Sequence, residues 1–333
     1  MSPEPVVGGV LAVVLVVYVL TGIADFGGGV WDLLASGPRA ERQRAAVSRA
    51  IGPIWEANHV WLILAIVLTF VCFPHAFAAI ATALHIPLVL LLIGVVLRGS
   101  AFVFRAYDAH EAPIERRWSL IFAAASVVAP VMLGVTVGAV ASGRVRVERG
   151  IVDGGYVGSW FAPFPFAVGG LTLAIAAFLA AVYLTLETTE DRDLQEDFRR
   201  RGLWASGAVF VLAWAAFGLA RTGAPDIWAG LWRSAWALPF QGVVAVVGLG
   251  AIAALYLRRF RWARDLAAAE AALVVGGWAA AQWPYTVPPL LTVHDAAPPN
   301  VIWATLGVLA AGAPGLLLAY GWMMRVFGKE LAP

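Results

Sequence analysis

Long uninterrupted apolar segments are the feature that most constrains this chain. Runs such as LAVVLVVYVL at 11–20 and IPLVLLLIGVVL at 86–97 are apolar on every side of a helix. A bilayer core needs roughly 20 apolar residues per helix, whereas β-barrel strands are about half as long and alternate in polarity. Charged residues make up only 13% of the chain, about half of the usual fraction in soluble proteins. The sequence therefore predicts an all-α integral membrane protein.

Nine segments satisfy the length criterion for a membrane-spanning helix. They lie at 5–24, 53–72, 78–97, 118–141, 164–186, 203–220, 236–257, 266–282 and 301–323. We expect nine transmembrane helices arranged as two four-helix bundles plus one peripheral helix. The expected parts are a first four-helix half at 1–141, an outward-facing loop at 142–163, and a second half of five helices at 164–333.

The basic residues support this count and predict the orientation. With nine crossings, 18 of the 23 lysines and arginines fall in connections on one side of the bilayer. Because cytoplasmic loops are enriched in Lys and Arg, we expect an outward N-terminus and a cytoplasmic C-terminus. The net charge of +2 is too small to indicate a nucleic-acid partner. The single cysteine, Cys72, excludes an intrachain disulfide and a CxxC metal site.

Polar side chains inside the first three segments need a reason, since ionisable groups in a membrane are costly and often mark a proton or ion route. The residues concerned are Asp25, Glu56, Asn58, His59, His85, Arg98 and Arg105. Two acids beside a histidine indicate a proton pathway through Asp25, Glu56 and His59. Asn58, Arg98 and Arg105 would support it through hydrogen bonds and ion pairs. The glycines after Asp25 allow either a sharp turn or the close approach of another backbone.

Each of these residues also has a purely structural interpretation. Glu56 fits a first-turn acid that the helix dipole favours, and Asp25 fits a helix end. The two arginines fit helix-end cations that reach the interface, and the sharper alternative is an ion pair with Glu56 or Asp25. His85, expected near mid-membrane, and His59 are the residues that could ligate a haem. A secondary transporter or a haem-binding cytochrome subunit is therefore an alternative function.

Several motifs in order along the chain resemble subunit II of the cytochrome bd type quinol oxidases. They are ADFGGGVWDLL, AIGPIWEANHVWLI, the Phe73-Pro74 step, LRGSAFVFR and GWAAAQWPYTVPPLLTVHDAAPP. The resemblance implies a multi-pass subunit in the cytoplasmic membrane of a prokaryote, within a heterodimer that oxidises quinol and reduces O2 to water. It implies that the partner, subunit I, carries haem b and haem d or b-type haems. It implies no cofactor, metal or catalytic residue in this chain, and it leaves open a bound quinone or lipid and a small single-helix accessory subunit.

Carried over residue by residue, the family's proton-path acids are only partly present. Glu56 takes the place of a proposed proton-carrying aspartate, and Asp25 takes the place of the second acid in a neighbouring motif. Gly22 and Val103 stand where two further acids would be. The resemblance therefore implies a cytoplasmic proton path that has lost two acids, in which His59 could act as a substitute titrating group.

Overall fold

Helices dominate the computed structural model, which describes residues 2–51, 55–107, 112–148 and 150–330. The α-helices are α1 (Pro3–Tyr18), α2 (Ala24–Leu33), α3 (Ala40–Ile51), α4 (Trp55–Asn58), α5 (Val60–Cys72), α6 (Pro74–Ala83), α7 (His85–Tyr107), α8 (Ala112–Ala141), α9 (Gly155–Gly158), α10 (Pro163–Glu187), α11 (Arg192–Gly223), α12 (Pro225–Arg233), α13 (Ala237–Tyr256), α14 (Phe260–Gln282) and α15 (Pro299–Glu330). Two short antiparallel hairpins pair β1 (Val147–Glu148) with β2 (Ile151–Val152) and β3 (Tyr285–Val287) with β4 (Leu291–Thr292).

The predicted multi-pass helical architecture is confirmed, although the individual spans differ in part from the prediction. Within the described residues, seven helical segments are long and apolar enough to cross a membrane. They are Pro3–Leu33, His85–Phe104, Arg117–Ala141, Pro163–Glu187, Arg192–Gly223, Ala237–Tyr256 and Pro299–Met323. The predicted segment at 266–282 lies in α14, which has the length of a span but is not among the seven because polar residues lower its hydropathy.

The predicted second and third segments have different boundaries in the structure. The segment at 53–72 contains the 13-residue helix α5, and α6 follows it at an angle of 116°. The bend lies at Phe73-Pro74, where proline lacks the N–H that would continue the helix. A second break at Leu84 ends α6, so the next long helix begins at His85 and not at residue 78. His85 therefore lies at a helix start, and its expected mid-membrane position was wrong.

The first span is longer than predicted because the chain does not turn at Asp25. One π-helical turn, Val19–Ile23, joins α1 to α2, and the helix continues to Leu33. The glycines after Asp25 serve the other predicted purpose, close approach. A Cβ at Gly27 would collide with the backbone of Ala176 on α10, and one at Gly29 would collide with the Ser126 side chain on α8. The glycines thus bring α2 into close contact with α8 and α10.

Helix α10 lies at the centre of the molecule. It packs against α2, α8, α11 and α14, and its segment Ala174–Val182 is buried throughout. Alanines dominate that segment, and small residues let neighbouring helices approach closely in a membrane protein. The residues that α10 presents to α2 and α14 therefore have fixed positions, which matters for the site described below.

The arginine-rich connections meet on one face of the molecule. Arg39, just before α3, forms an ion pair with Asp197 at the start of α11, with 2.6 Å between Nη2 and Oδ1. Arg258, between α13 and α14, lies 3.3 Å from Glu196. At the opposite end, Gly8 near the start of α1 lies against Trp283 and Val293. The chain thus separates an arginine-rich face from the face that carries β3 and β4.

Candidate functional site

Asp25 is the centre of a polar cluster between three helices. Its carboxylate Oδ2 accepts a hydrogen bond of 2.9 Å from the side-chain amide of Asn58, the last residue of α4. The amide oxygen of Asn58 in turn accepts a hydrogen bond of 3.0 Å from the hydroxyl of Tyr320 on α15. The amide can act in both bonds because it carries a donor and an acceptor. Asn58 therefore fixes the carboxylate of Asp25 and links it to α15.

Arg98 lies inside the protein beside Asp25. Only 1% of its surface is exposed, and its Nη2 donates a hydrogen bond of 3.0 Å to the backbone carbonyl of Asp25. Its Cζ lies 4.9 Å from the ring centre of Phe26 and 5.3 Å from that of Phe122, so cation–π attraction contributes to holding the charge. The interpretation as a helix-end cation that reaches the interface was wrong for Arg98. Arg98 binds the backbone carbonyl of Asp25, and the described residues show no ion pair between Arg98 and the carboxylate of Asp25.

His59 packs against the same group of aromatic rings. Its imidazole stacks on Phe26 at 5.7 Å between ring centres, and it meets the edge of the Tyr18 ring at 6.3 Å. His59 precedes α5 directly, so it is held one residue from Asn58. The ring of Phe26 thus contacts both the imidazole of His59 and the guanidinium of Arg98.

Two of the predicted site residues cannot be placed in this cluster. The side chains of Glu56 and Arg105 lie outside the described residues, although the backbone of Glu56 belongs to α4 and that of Arg105 to α7. The predicted common face of Glu56 and His59 therefore stays a prediction.

A cavity of about 330 Å³ adjoins the cluster. The polar side chains along its wall are Thr21, Asp25, Asn58, Tyr183, Glu187, Arg264 and Tyr320, and two of these are acids. The hydroxyl of Tyr183 on α10 donates a hydrogen bond of 3.2 Å to the backbone carbonyl of Leu20 at the π-helical turn. Sequence reasoning missed Tyr183, Glu187 and Tyr320 as parts of this site because they lie far from Asp25 along the chain and belong to no motif.

The positions of the two missing acids have a structural explanation. A Cβ at Gly22 would collide with the ring of Tyr18, so no acid can stand there while Tyr18 keeps this position. Val103 is 40% exposed on α7, and it belongs to none of the walls of the cavity. Neither position is therefore available to the Asp25 cluster in this structure.

Other ionisable residues lie outside the Asp25 cluster. Arg264 forms an ion pair with the adjacent Asp265, with 2.8 Å between Nη2 and Oδ1. The carboxyl of Glu270 lies where α13 passes at Gly248. His85 is exposed, and its ring lies 4.8 Å from that of Tyr156. Among the described residues, no group of three or more His, Cys, Asp or Glu side chains could hold a metal ion.

On the arginine-rich face, Asp191 joins α3 to α11. Its Oδ1 accepts a hydrogen bond of 3.2 Å from the backbone N–H of Leu194, which caps α11, and Oδ2 pairs with Arg42. Burial alone would raise the pKa of Asp191, but these hydrogen bonds outweigh it and lower the pKa below its usual value. This acid is therefore ionised at neutral pH. It holds α3 and α11 together on the arginine-rich face, outside the Asp25 cluster.

Comparison with known proteins gives consistent matches along the chain. The family described as cytochrome bd terminal oxidase subunit II matches residues 4–327. The cytochrome bd ubiquinol oxidase subunit 2 of Bacillus subtilis (strain 168) is 27% identical over 71% of this chain and 68% of its own length. The cytochrome bd-I ubiquinol oxidase subunit 2 of Escherichia coli (strain K12) is 24% identical over 56% of this chain and 49% of its own. A chain of the bd oxidase from Geobacillus thermodenitrificans has the same fold, with a TM-score of 0.78, 22% identity and coverage of 98% and 99%.

Proposed function

The chain belongs to the family of cytochrome bd terminal oxidase subunit II, and on that premise we propose that it carries protons from the cytoplasm toward the site of O2 reduction in a haem-bearing partner. Asp25, Glu56 and His59 are the proposed proton-carrying groups. Asn58, Arg98 and Arg105 are proposed to position them and to balance their charge. The quinol is oxidised at the partner, subunit I, and this chain supports that subunit.

The observation that carries the proposal is the Asp25 cluster on the wall of a cavity. A carboxylate in a membrane protein is costly unless it is paired or exchanges protons. Here the carboxylate of Asp25 has one amide donor, a buried cation nearby and contact with the cavity. In the ionised state the nearby guanidinium of Arg98 offsets the charge of the carboxylate, and the cavity brings the carboxylate into contact with water from which it can take up a proton. Asn58 holds the carboxylate in place while its protonation changes.

The proposed orientation follows from the distribution of charge. We assign the arginine-rich face, which includes Arg39, Arg42 and Arg258, to the cytoplasm. The seven candidate spans, the bent pair α5 and α6, and α14 would together make nine crossings. In this arrangement α5 crosses the bilayer and α6 lies toward the outer side with β1 and β3, which it contacts. The N-terminus then lies outside and the C-terminus in the cytoplasm.

The proposed partners complete the reaction. A heterodimer with subunit I places all haems, of b type or of b and d type, in the partner. Helix α15 supports such an interface, because only 6% of its apolar window is buried within this chain. Purification of the intact complex should yield a second, haem-bearing chain at equal stoichiometry. A functional homodimer without that chain would contradict the assignment.

The proton role is tested by Asp25→Asn in the assembled complex. The change keeps the size of the side chain and its ability to accept from Asn58, but it removes the titrating group. We expect a normal haem spectrum and O2 consumption per haem reduced by about tenfold, less than the roughly 10²-fold typical of losing a proton-transfer group because water can substitute in part. The matched control is Asp226→Asn on α12, an exposed acid outside the cavity. Unchanged turnover in Asp25→Asn would contradict the proposal.

A double variant separates the contributions of Glu56 and His59 to proton transfer. Glu56→Gln should slow turnover without loss of assembly. If His59 carries part of the flow, Glu56→Gln combined with His59→Phe should lose more than the two single effects add up to in free energy. Damage that instead follows the amount of folded complex would leave both as structural residues.

A further inference from the structure

Both halves of the chain form the wall of the cavity beside Asp25, and the second half supplies several of its polar side chains. Helix α10 contributes Tyr183 and Glu187 to its wall, α14 contributes Arg264, and α15 contributes Tyr320. The groups that the sequence singled out for a proton path all lie before residue 106. The route by which water reaches Asp25 therefore involves side chains that the first-half motifs do not include.

Glu187 is the second acid on the wall of this cavity. It is the last residue of α10, it is exposed, and it forms no hydrogen bond or ion pair with any residue in the described part of the chain. Glu187 and Tyr183 are four residues apart on α10, so both side chains lie on one face of that helix. Tyr183 is in turn hydrogen-bonded to Leu20, five residues before Asp25. A carboxylate, a phenol and Asp25 thus share the wall of one cavity.

Helix stability gives no reason for an acid at this position. A negative charge at a helix C-terminus is unfavourable because it faces the negative end of the helix dipole. The last carbonyls of α10 already have partners, since Thr188 caps the carbonyl of Leu184 and the Gln195 amide donates to that of Thr185 at 2.8 Å. Glu187 therefore contributes nothing visible to the end of α10.

We propose that Glu187 is the proton-collecting carboxylate at the cytoplasmic mouth of the inlet whose inner end is Asp25. This inference rests on the proposed function and adds to it the outer group of the same path. Glu187 takes a proton from bulk water and passes it through water in the cavity to the carboxylate of Asp25. Glu187 is then ionised again, and Asp25 carries the proton. A cavity of about 330 Å³ has room for several water molecules, and Asp25, Tyr183 and Glu187 supply polar partners for them. With no acid at Gly22 or Val103, Glu187 supplies a carboxylate from another helix.

The experiment compares Glu187→Gln, Glu187→Asp and the control Glu190→Gln in the purified complex. Glu190 is an exposed acid in the turn after α10 and lies outside the cavity wall. O2 consumption per haem should fall several-fold in Glu187→Gln and recover in Glu187→Asp, and the solvent deuterium isotope effect should rise in Glu187→Gln alone. Turnover and isotope effect in Glu187→Gln equal to those of Glu190→Gln would overturn the proposal.

A second pair of variants tests the cavity without altering any acid. Ala50 on α3 lines the cavity, whereas Ala45 lies on the exposed face of the same helix. Ala50→Leu should narrow the cavity and slow turnover per haem, and Ala45→Leu should not. Equal rates in the two variants would show that this cavity is not the route.

The outcomes separate this inference from the proposed function. If Asp25→Asn slows turnover and Glu187→Gln does not, protons reach Asp25 by another mouth, and the proposal for Glu187 alone is wrong. If neither change slows turnover, the proton role of the chain is contradicted and the role of Glu187 falls with it.

Discussion

The side-chain amide of Asn58 holds the carboxylate of Asp25 at 2.9 Å, and Tyr320 anchors the same amide from the other end of the chain. Three segments that are distant in sequence thus share one short chain of hydrogen bonds. The geometry of the carboxylate therefore depends on the docking of α15 as well as on α2 and α4. This dependence leads to predictions that distinguish the effect of the position of the carboxylate from the effect of nearby charge.

Removing the amide of Asn58 should lower stability and turnover more than removing the hydroxyl of Tyr320. Asn58→Leu removes two hydrogen bonds, one with the Asp25 carboxylate and one with the Tyr320 hydroxyl, each typically worth about 0.5–1.5 kcal/mol. Tyr320→Phe removes one hydrogen bond only, worth about 0.5–1.5 kcal/mol. We expect the larger loss of thermal stability and of turnover per haem in Asn58→Leu. Equal losses in the two variants would contradict a central role for the amide.

Loss of the buried cation should reduce the amount of folded complex. Arg98→Met removes the buried charge beside Asp25 and its hydrogen bond to the Asp25 carbonyl, and a hydrogen bond from a charged group is typically worth about 1.5–3 kcal/mol. Arg98→Lys keeps the charge but loses the planar contacts with Phe26 and Phe122, so its loss should be intermediate. The yield of haem-containing complex measures both. Arg200→Met is the control, since 68% of that side chain is exposed, and a similar yield in Arg98→Met and Arg200→Met would refute the prediction.

The close contact between α2 and α10 predicts a sensitive glycine. Gly27→Ala would push a methyl group into the backbone of Ala176, and overpacking costs typically about 1–3 kcal/mol. Gly9→Ala on α1 is the matched control because nothing lies within 4 Å of a Cβ there. The Tm of the complex should fall in Gly27→Ala and not in Gly9→Ala. A Tm that is unchanged in both variants would show that α2 can move away from α10.

Acidification should destabilise the arginine-rich face because Asp191 becomes protonated. Its hydrogen bonds hold the folded-state pKa below the usual value of about 3.9, so its contribution is present above that pH and is lost as the pH falls through the folded-state pKa. In Asp191→Asn, Tm should be lower at neutral pH and should fall less on acidification than in the unaltered complex. Asp193→Asn, at an exposed position in the same turn, is the control. Parallel Tm curves for Asp191→Asn and the unaltered complex would contradict the assignment.

Sequence patterns predicted what depends on local composition. Apolar length located most spans, and the arginine asymmetry agrees with the ion pairs that join Arg39 and Arg258 to α11. The predicted end of the second segment at residue 72 is where α5 ends, but the break at Leu84 was missed because residues on both sides of it are apolar, so hydropathy alone gives no boundary there.

The composition of the site depends on helix packing and was predicted only in part. Asp25, Asn58 and Arg98 are brought together as expected, because motifs near one another in sequence lie on adjacent helices. Tyr183, Glu187 and Tyr320 join them through the packing of α10 and α15, which no local pattern encodes. An acid at a helix C-terminus without a partner was the one signal that could have drawn attention to Glu187.

Proton uptake during a single turnover tests the central claim most directly. The reduced complex is mixed with O2 in the presence of a pH-indicator dye, and haem absorbance and dye absorbance are followed together. If protons pass through Asp25, O2 binding in Asp25→Asn should keep its normal rate while the proton-uptake phase slows by about tenfold. Proton uptake in Asp25→Asn at the rate of the unaltered complex, with the haem spectrum intact, would contradict the account.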